Sequence, residues 1–289
     1  MIEWNHNRIK PQNKMKILIT GANGFLGSHL LRRLKSKGKN VSALIHQNQD
    51  NIPTDTPLYN YESIQKCSID FDVIFHLGAF IPALPTNDSQ SSTNVETTRK
   101  LISLYPNTHW IYSSSVSVYE NCIELISEST AANFTSEYAK SKFQTEELVT
   151  KLNQFKIIRF SSLYGTGMRP NSIIPRYIAQ SLQGNVISVY GEGERLQDYL
   201  YIEDALDYLE SLLDAPNGIY LGVNGTPVSN KSLAHITARL FGSNIDFLKH
   251  KNEGTSYTYN NHKTKSILKI NKLVSIEEGI AEMNKNQSA

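Results

Sequence analysis

Hydrophobic residues in this chain gather into short runs separated by stretches of helical periodicity. KILIT (16–20), VSALI (41–45), DVIFHLG (72–78), HWIYSSS (109–115) and KIIRFSS (156–162) are rich in β-branched and aromatic residues and show little polar alternation. Such runs predict strands buried on both faces, as in a parallel sheet. Between them, FLGSHLLRRLKSKG (25–38, with Gly38 as a stop), TNVETTRKLISLY (93–105) and SEYAKSKFQTEELVTKLNQ (136–154) carry the spacing of amphipathic helices. A further strand around Leu58 to Tyr61 is only weakly marked.

Strand, helix and strand repeated in this way require crossover connections, which predicts an α/β fold with a Rossmann-type doubly wound parallel sheet over residues 15–165. After Tyr164 the texture changes to glycine loops, prolines and helices without strict alternation. Residues 166–289 are therefore expected to form mainly a smaller C-terminal lobe, with IYLGV (219–223) as a candidate strand returning to the sheet. Residues 1–14 read as a polar N-terminal extension.

The junction after the first strand is the most informative point. Gly21, Gly24 and Gly27 stand three apart where a strand hands over to a helix. There the free N–H groups and the helix dipole favour phosphate oxygens. Gly21 permits the tight turn, Gly24 lets a pyrophosphate approach the backbone, and Gly27 lets the helix pack on the sheet. An acid ending the second strand would hydrogen-bond the adenosine ribose of NAD. His46 and Gln47 occupy that place, so NAD and NADP both remain open.

A second constellation is SSSVSVY (113–119) followed by YAKSK (138–142). Tyr138 and Lys142 are four apart in a helical pattern and share a face. A free tyrosine titrates near pH 10 and is a poor base at neutral pH, but an adjacent cation favours its phenolate. The tyrosine could then exchange a proton with a hydroxyl or ketone, while a serine ending the preceding strand hydrogen-bonds the same oxygen.

Composition narrows the classes. With 289 residues, 39% hydrophobic and 19% charged, the chain can bury a full core. A net charge of +2 with scattered basic residues gives no case for nucleic acid. No apolar run approaches the roughly 20 residues that would span a membrane. Two cysteines, Cys67 and Cys122, and eight histidines without HxH or HxxxH spacing offer neither disulfide framework nor metal site. A cytoplasmic, metal-free protein is the expectation.

Together these segments resemble the extended short-chain dehydrogenase/reductases, in particular the NAD-dependent epimerase/dehydratase group that acts on nucleotide sugars. TGANGFLGSHL resembles its cofactor loop, DVIFHLGA (72–79) its fourth-strand signature and NVETTRKLI (94–102) the helix that follows. YSSSVSVY and YAKSK resemble its catalytic Ser-Tyr-Lys segments, and RFSSLYGTG (159–167) with YGEGERLQDYLYIEDA (190–205) its substrate-lobe motifs. The resemblance implies a catalytic trio of Ser115, Tyr138 and Lys142, the latter two also touching the cofactor. It implies a cofactor site of Gly21, Asn23, Gly24, Phe25, Leu26 and Gly27 around the pyrophosphate, with His46, Leu77, Gly78, Ala79 and Ser113 along the groove and Phe160 near the nicotinamide. Ser115, Ser162, Arg195 and Gln197 are implied to face a nucleotide-sugar substrate, and a homodimer is implied.

The sequence departs from the group in named places. Dehydratases place Asp-Glu directly after the catalytic serine or threonine, where this chain has Val116 and Ser117. The usual asparagine of one lobe motif is Ser162 and the usual arginine of another is Gln197, with Arg195 two positions earlier. The expected reaction is therefore a nucleotide-sugar 4-epimerisation through a transient 4-keto form. A nucleotide-sugar 4-ketoreductase using NADPH is the alternative. A non-catalytic dinucleotide sensor would have no use for Tyr138 and Lys142.

Overall fold

Near-continuous apolar runs are stable as strands only if both faces are covered, and that constraint organises the chain. The structure, a computed structural model, describes residues 14–82, 90–249 and 251–285, so the extension at 1–14 lies outside the described residues except for Lys14. β1 (Lys16–Thr20), α1 (Phe25–Ser36) and β2 (Asn40–Leu44) form the first crossover, followed by the two-residue β3 (Leu58–Tyr59) and by β4 (Val73–His76). α2 (Ser92–Leu104) leads to β5 (His109–Ser115), and α3 (Glu137–Val149) to β6 (Phe155–Phe160).

Beyond β6 the elements are β7 (Ser162–Tyr164), α4 (Ile173–Leu182), β8 (Ile187–Tyr190), β9 (Leu196–Gln197), β10 (Tyr199–Tyr201) and α5 (Ile202–Ser211). They continue as β11 (Gly218–Gly222), β12 (Val228–Ser229), α6 (Asn230–Phe241), β13 (Ile245–Leu248), α7 (His262–Leu268) and α8 (Ile276–Lys285).

Seven strands make one sheet in the order β11-β6-β5-β4-β1-β2-β3, with every neighbouring pair parallel. Period-two alternation sorts their side chains to two faces. Ile17, Ile19, Phe75, Ile111 and Ile158 belong to one core with Leu30, Leu31 and Leu34 of α1 and Leu206 and Leu209 of α5. Leu18, Ile74, Trp110, Tyr112 and Ile157 belong to the other, with Leu101 of α2 and Val149 of α3. The strand order reverses between β1 and β4, which opens a crevice at their carboxyl ends where ligands of such sheets bind.

Several element limits differ from the sequence reading. KIIRFSS is not one strand. It stops at Phe160: the Ser161 N–H makes the last ladder bond to β11, at Gly222 O (3.1 Å), its hydroxyl donates to Asp198 Oδ1 (2.6 Å), and residues 162–164 pair with β10 instead. DVIFHLG is strand only through His76. α3 ends at Val149, before the predicted TKLNQ, as the chain turns into β6. The weakly marked strand near Leu58 is present as β3, and the segment around Ile219 pairs with β6 along its whole length.

A second core lies beyond the sheet. Tyr164, Ile174, Tyr177, Ile178, Ile187, Val189, Leu233 and Ile280 are buried together. The short pairs β13·β8 and β12·β9 close its flanks.

Two buried imidazoles tie stability to pH. Burial, aided by the nearby Lys142 charge, holds His76 down at about 3, and burial aided by Lys156 holds His109 at about 4. Both values lie below the unfolded value near 6.5. Their contribution is therefore complete above pH 6.5 and is lost as pH falls through 6.5 toward 4 and then 3. Each group weakens stability by about 1.4 kcal/mol per pH unit across its window. Chemical denaturation at pH 7.5, 6.0 and 5.0 should show falling stability on acidification, and His109→Gln should reduce the slope by one group's share.

Candidate active site

The glycine loop is built by a backbone crossing. Gly21 has φ +63°, and a Cβ placed there would lie 2.5 Å from Gly78 Cα. A Cβ at Gly27 would lie 2.2 Å from Gly21 O, which is how α1 comes so close to the turn. Gly24 differs: it is exposed, has ordinary extended backbone, and a Cβ there would meet only Gly21 O at 3.2 Å. It forms the N-cap of α1 without any side-chain cap, so the first-turn amides from Phe25 to Gly27 are left for an anion. Asn23, Phe25 and Leu26 are half-buried around this opening, and Leu77, Gly78 and Ala79 line the facing exit of β4. The cradle fits a pyrophosphate.

At the end of β2 lies a cavity of about 290 Å³, lined by Ile45, His46, Gln47, Gln49, Leu58, Tyr59, Asn60 and Ser63. Its lining carries neither a carboxylate nor a guanidinium. His46 is exposed, with its ring centroid 6.3 Å from that of Tyr61.

The second candidate cluster sits where β5 ends against α3. Ser115 is the last residue of β5, in register with Phe160 of β6, and its Oγ accepts the N–H of Ser117 (3.1 Å). α3 starts one turn before Lys142. Ser136 caps it by accepting the Ala139 N–H (3.2 Å), and the Glu120 carboxylate accepts both the Ser136 N–H (2.5 Å) and the Ser136 hydroxyl (2.8 Å). Lys142 is 4% exposed, donates to Ser113 O (2.8 Å), and places its ammonium 5.1 Å from the Tyr112 ring centroid and 5.9 Å from that of Tyr138. Burial, opposed by the Glu146 carboxylate, draws its pKa down to about 8, so it remains mostly charged at pH 7.

Beneath Lys142, Glu146 and Arg159 form a two-pronged ion pair (2.9 and 2.5 Å) with both side chains almost wholly buried. Ser114 donates to Glu146 (2.5 Å) and Arg159 donates to the Tyr119 hydroxyl. Pairing and hydrogen bonding on every side are what make two charges tolerable there.

Ser162, Arg195 and Gln197 meet in a larger cavity of about 460 Å³. Ser115, Tyr138 and Lys142 are not among its lining residues. Both amide hydrogens of Gln197 are taken, by Tyr199 Oη (2.8 Å) and Asn230 Oδ1 (3.0 Å), which leaves only its carbonyl for a ligand. The sequence reading missed Arg176, whose guanidinium stacks 5.2 Å from the Tyr190 ring and whose buried Nε has no hydrogen-bond partner among the described residues. The only hint was an arginine inside the apolar helix IIPRYIAQSL. It also missed Glu253, whose carboxylate accepts the N–H groups of Glu192 (2.7 Å), Gly193 (3.0 Å) and Arg195 (2.8 Å) and so forms part of the cavity wall.

A parallel sheet with a glycine loop at its crossover and a Ser-Tyr-Lys cluster at its carboxyl edge defines a Rossmann-type protein of the short-chain dehydrogenase/reductase kind. The sequence model of the NAD dependent epimerase/dehydratase family matches residues 17–222, and the chain belongs to that family. It is 28% identical over 241 residues to an uncharacterized UDP-glucose epimerase, YtcB, of Bacillus subtilis, covering 73% of this chain and 76% of that one. Its fold matches TunA, an NAD-dependent NDP-hexosamine 5,6-dehydratase, at a TM-score of 0.82 with 25% identity over 96% of this chain and 99% of that one. It also matches the UDP-glucuronic acid 4-epimerase of Bacillus cereus solved with UDP-glucuronic acid and NAD, at a TM-score of 0.80 with 22% identity, covering 95% and 100%. Among the described residues no helix is long and apolar enough to cross a membrane, and no three His, Cys, Asp or Glu side chains form a metal-binding group.

The two loop glycines should separate binding from folding. Gly24→Val, whose Cβ meets only Gly21 O at 3.2 Å and sits at an exposed position, should leave thermal stability near wild type while abolishing calorimetric binding of NAD. Gly27→Ala drives a methyl into backbone and should cost about 1–3 kcal/mol in denaturant unfolding. Unchanged NAD affinity in a folded Gly24→Val protein contradicts the cradle.

Proposed function

We propose that this protein is an NAD(P)-dependent nucleotide-sugar epimerase acting at C4 through a transient 4-keto sugar. The observation that carries the reading is the buried Lys142 ammonium, held by Ser113 O and facing the ring of Tyr138 beside a strand that ends in Ser115. When bound, the nicotinamide supplies hydride acceptance and return at the sugar carbon. Lys142 favours the phenolate of Tyr138, which takes the proton of the C4 hydroxyl. Ser115, whose Oγ accepts the Ser117 amide, has its own proton free to hold the same sugar oxygen. The protonated Tyr138 returns its proton once the ketone has presented its other face.

Val116 and Ser117 bring no carboxylate to this point, which disfavours elimination of water as the outcome. The activities named for the Bacillus subtilis and Bacillus cereus proteins support a nucleotide sugar as the substrate class. Arg176 and Arg195 are the cations available to its diphosphate in the 460 Å³ cavity. One observation favours the second reading, a 4-ketoreductase using NADPH: the cavity at His46 lacks the carboxylate that would repel a 2′-phosphate.

Turnover of UDP-, dTDP- and GDP-sugars, with their 4-keto forms included, tests both. Retained NAD with catalytic turnover supports epimerisation, and stoichiometric loss of NADPH supports reduction. Tyr138→Phe should fold, bind cofactor and lose about 10²- to 10⁴-fold in turnover. Lys142→Met should move the rise of activity with pH to higher pH, because the phenol loses its stabilising cation. Full activity in Tyr138→Phe removes the proposed mechanism.

Arg176→Met tests the substrate side separately. It should raise KM for the nucleotide sugar by about tenfold or more with kcat nearly unchanged, the pattern of lost uniform binding.

A further inference from the structure

His76 has no part in the proposed chemistry, yet it is wholly buried at the end of β4 between the two candidate sites. Its Nδ1 lies 2.8 Å from Thr20 Oγ1 and its Nε2 lies 2.8 Å from Thr98 Oγ1. Thr20, 0% exposed and directly preceding Gly21, accepts the Gly78 N–H (3.0 Å). With an amide pointing at it, the Thr20 hydroxyl can spend its proton only on His76 Nδ1. That nitrogen must therefore carry no hydrogen, since otherwise a buried hydroxyl proton is left without an acceptor. Nε2–H then donates to Thr98, whose own hydroxyl donates to Asn94 O (2.8 Å).

The polar chain does not stop at that carbonyl. Asn94 Oδ1 accepts the Phe80 N–H (2.7 Å), and Asn94 Nδ2 donates to Phe80 O (3.1 Å) and Ser141 Oγ (3.1 Å). Ser141 Oγ in turn donates to Tyr138 O (2.8 Å). One polar path thus runs from the residue before the glycine loop to the backbone of the candidate proton carrier. The imidazole also stacks on Tyr112 (5.5 Å, 26°), over which the Lys142 ammonium sits. A charged imidazole would face that ammonium and break the chain at Thr20.

We infer that His76 is a positioning residue, held as a neutral Nε2–H imidazole, that registers the dinucleotide loop against the helix carrying Tyr138 and Lys142. The inference rests on the proposed reading of those two residues, but its first test does not. In 15N-labelled, cofactor-free protein, the long-range 1H–15N spectrum should show one histidine as the Nε2–H tautomer, unchanged between pH 7.5 and 5.5. His76→Gln should remove that signal and so assign it.

His76→Leu should weaken NAD binding and lower kcat, each by about tenfold. KM for the nucleotide sugar, whose cavity lies elsewhere, should stay within about twofold. His76→Gln, whose amide again offers one acceptor and one donor, should recover most of both losses. An Nδ1–H tautomer, or titration of this histidine near pH 6.5, overturns the inference even if His76→Leu does not fold. A folded His76→Leu with wild-type NAD affinity and kcat overturns it as well. Full activity in Tyr138→Phe with the expected tautomer and NAD affinity would instead remove the reaction and leave the loop's registration standing.

Discussion

Two backbones cross at Gly21 and Gly78 with no room for a single methyl group between them, and most of the site follows from that contact. The crossing brings the exits of β1 and β4 together at the point where the sheet changes direction. It fixes where α1 begins, and therefore where unpaired amides and a positive helix end are available. It also obliges Thr20 and His76 to be buried side by side, where polar groups must satisfy one another without water. The hydrogen-bond chain through His76 answers that demand.

The same physics governs the other half of the site. A lysine buried to 4% exposure loses hydration, and its pKa falls to about 8, still high enough to keep it mostly charged at neutral pH. Glu146, one helical turn on, opposes the fall, but a carboxylate at that depth needs a partner of its own. Arg159 from β6 and Ser114 from β5 supply it. The charge beside Tyr138 is thus set by a cluster that spans two strands and a helix, and its strength is a property of the packed sheet.

Much of this was legible in the sequence, for reasons that differ by element. β1 and β5 match the runs KILIT and HWIYSSS residue for residue, because a compact buried run stands out from the turns around it. The glycine spacing and the Tyr138–Lys142 pair were visible because turn geometry and helical period constrain them locally. What could not be read depended on distant partners. β3 is two residues long, and the chain leaves the sheet after Ser161 because Asp198 receives its hydroxyl and β10 pairs with the residues that follow. His76 looked like one more residue in a buried strand, since nothing local shows that Thr20 and Thr98 flank it. Arg176 was hidden within an apolar helix, and Glu253 lies some sixty residues from the amides it binds.

The place of β11 has a consequence for how the chain is made. β6 pairs on one side with β5 and on the other with β11, whose residues follow about sixty positions later. During synthesis the first 160 residues therefore present β6 as an uncovered parallel edge, rich in Phe, Ile and Ile, until residue 222 has emerged. Exposed apolar edges of this kind recruit other chains. Arg159 and Lys156 do not blunt that edge once β6 has joined β5, because their partners Glu146 and His109 precede them in the chain and already hold them. The return of β11 is thus what covers the backbone edge of β6, and the sheet is closed on that side by a strand made last.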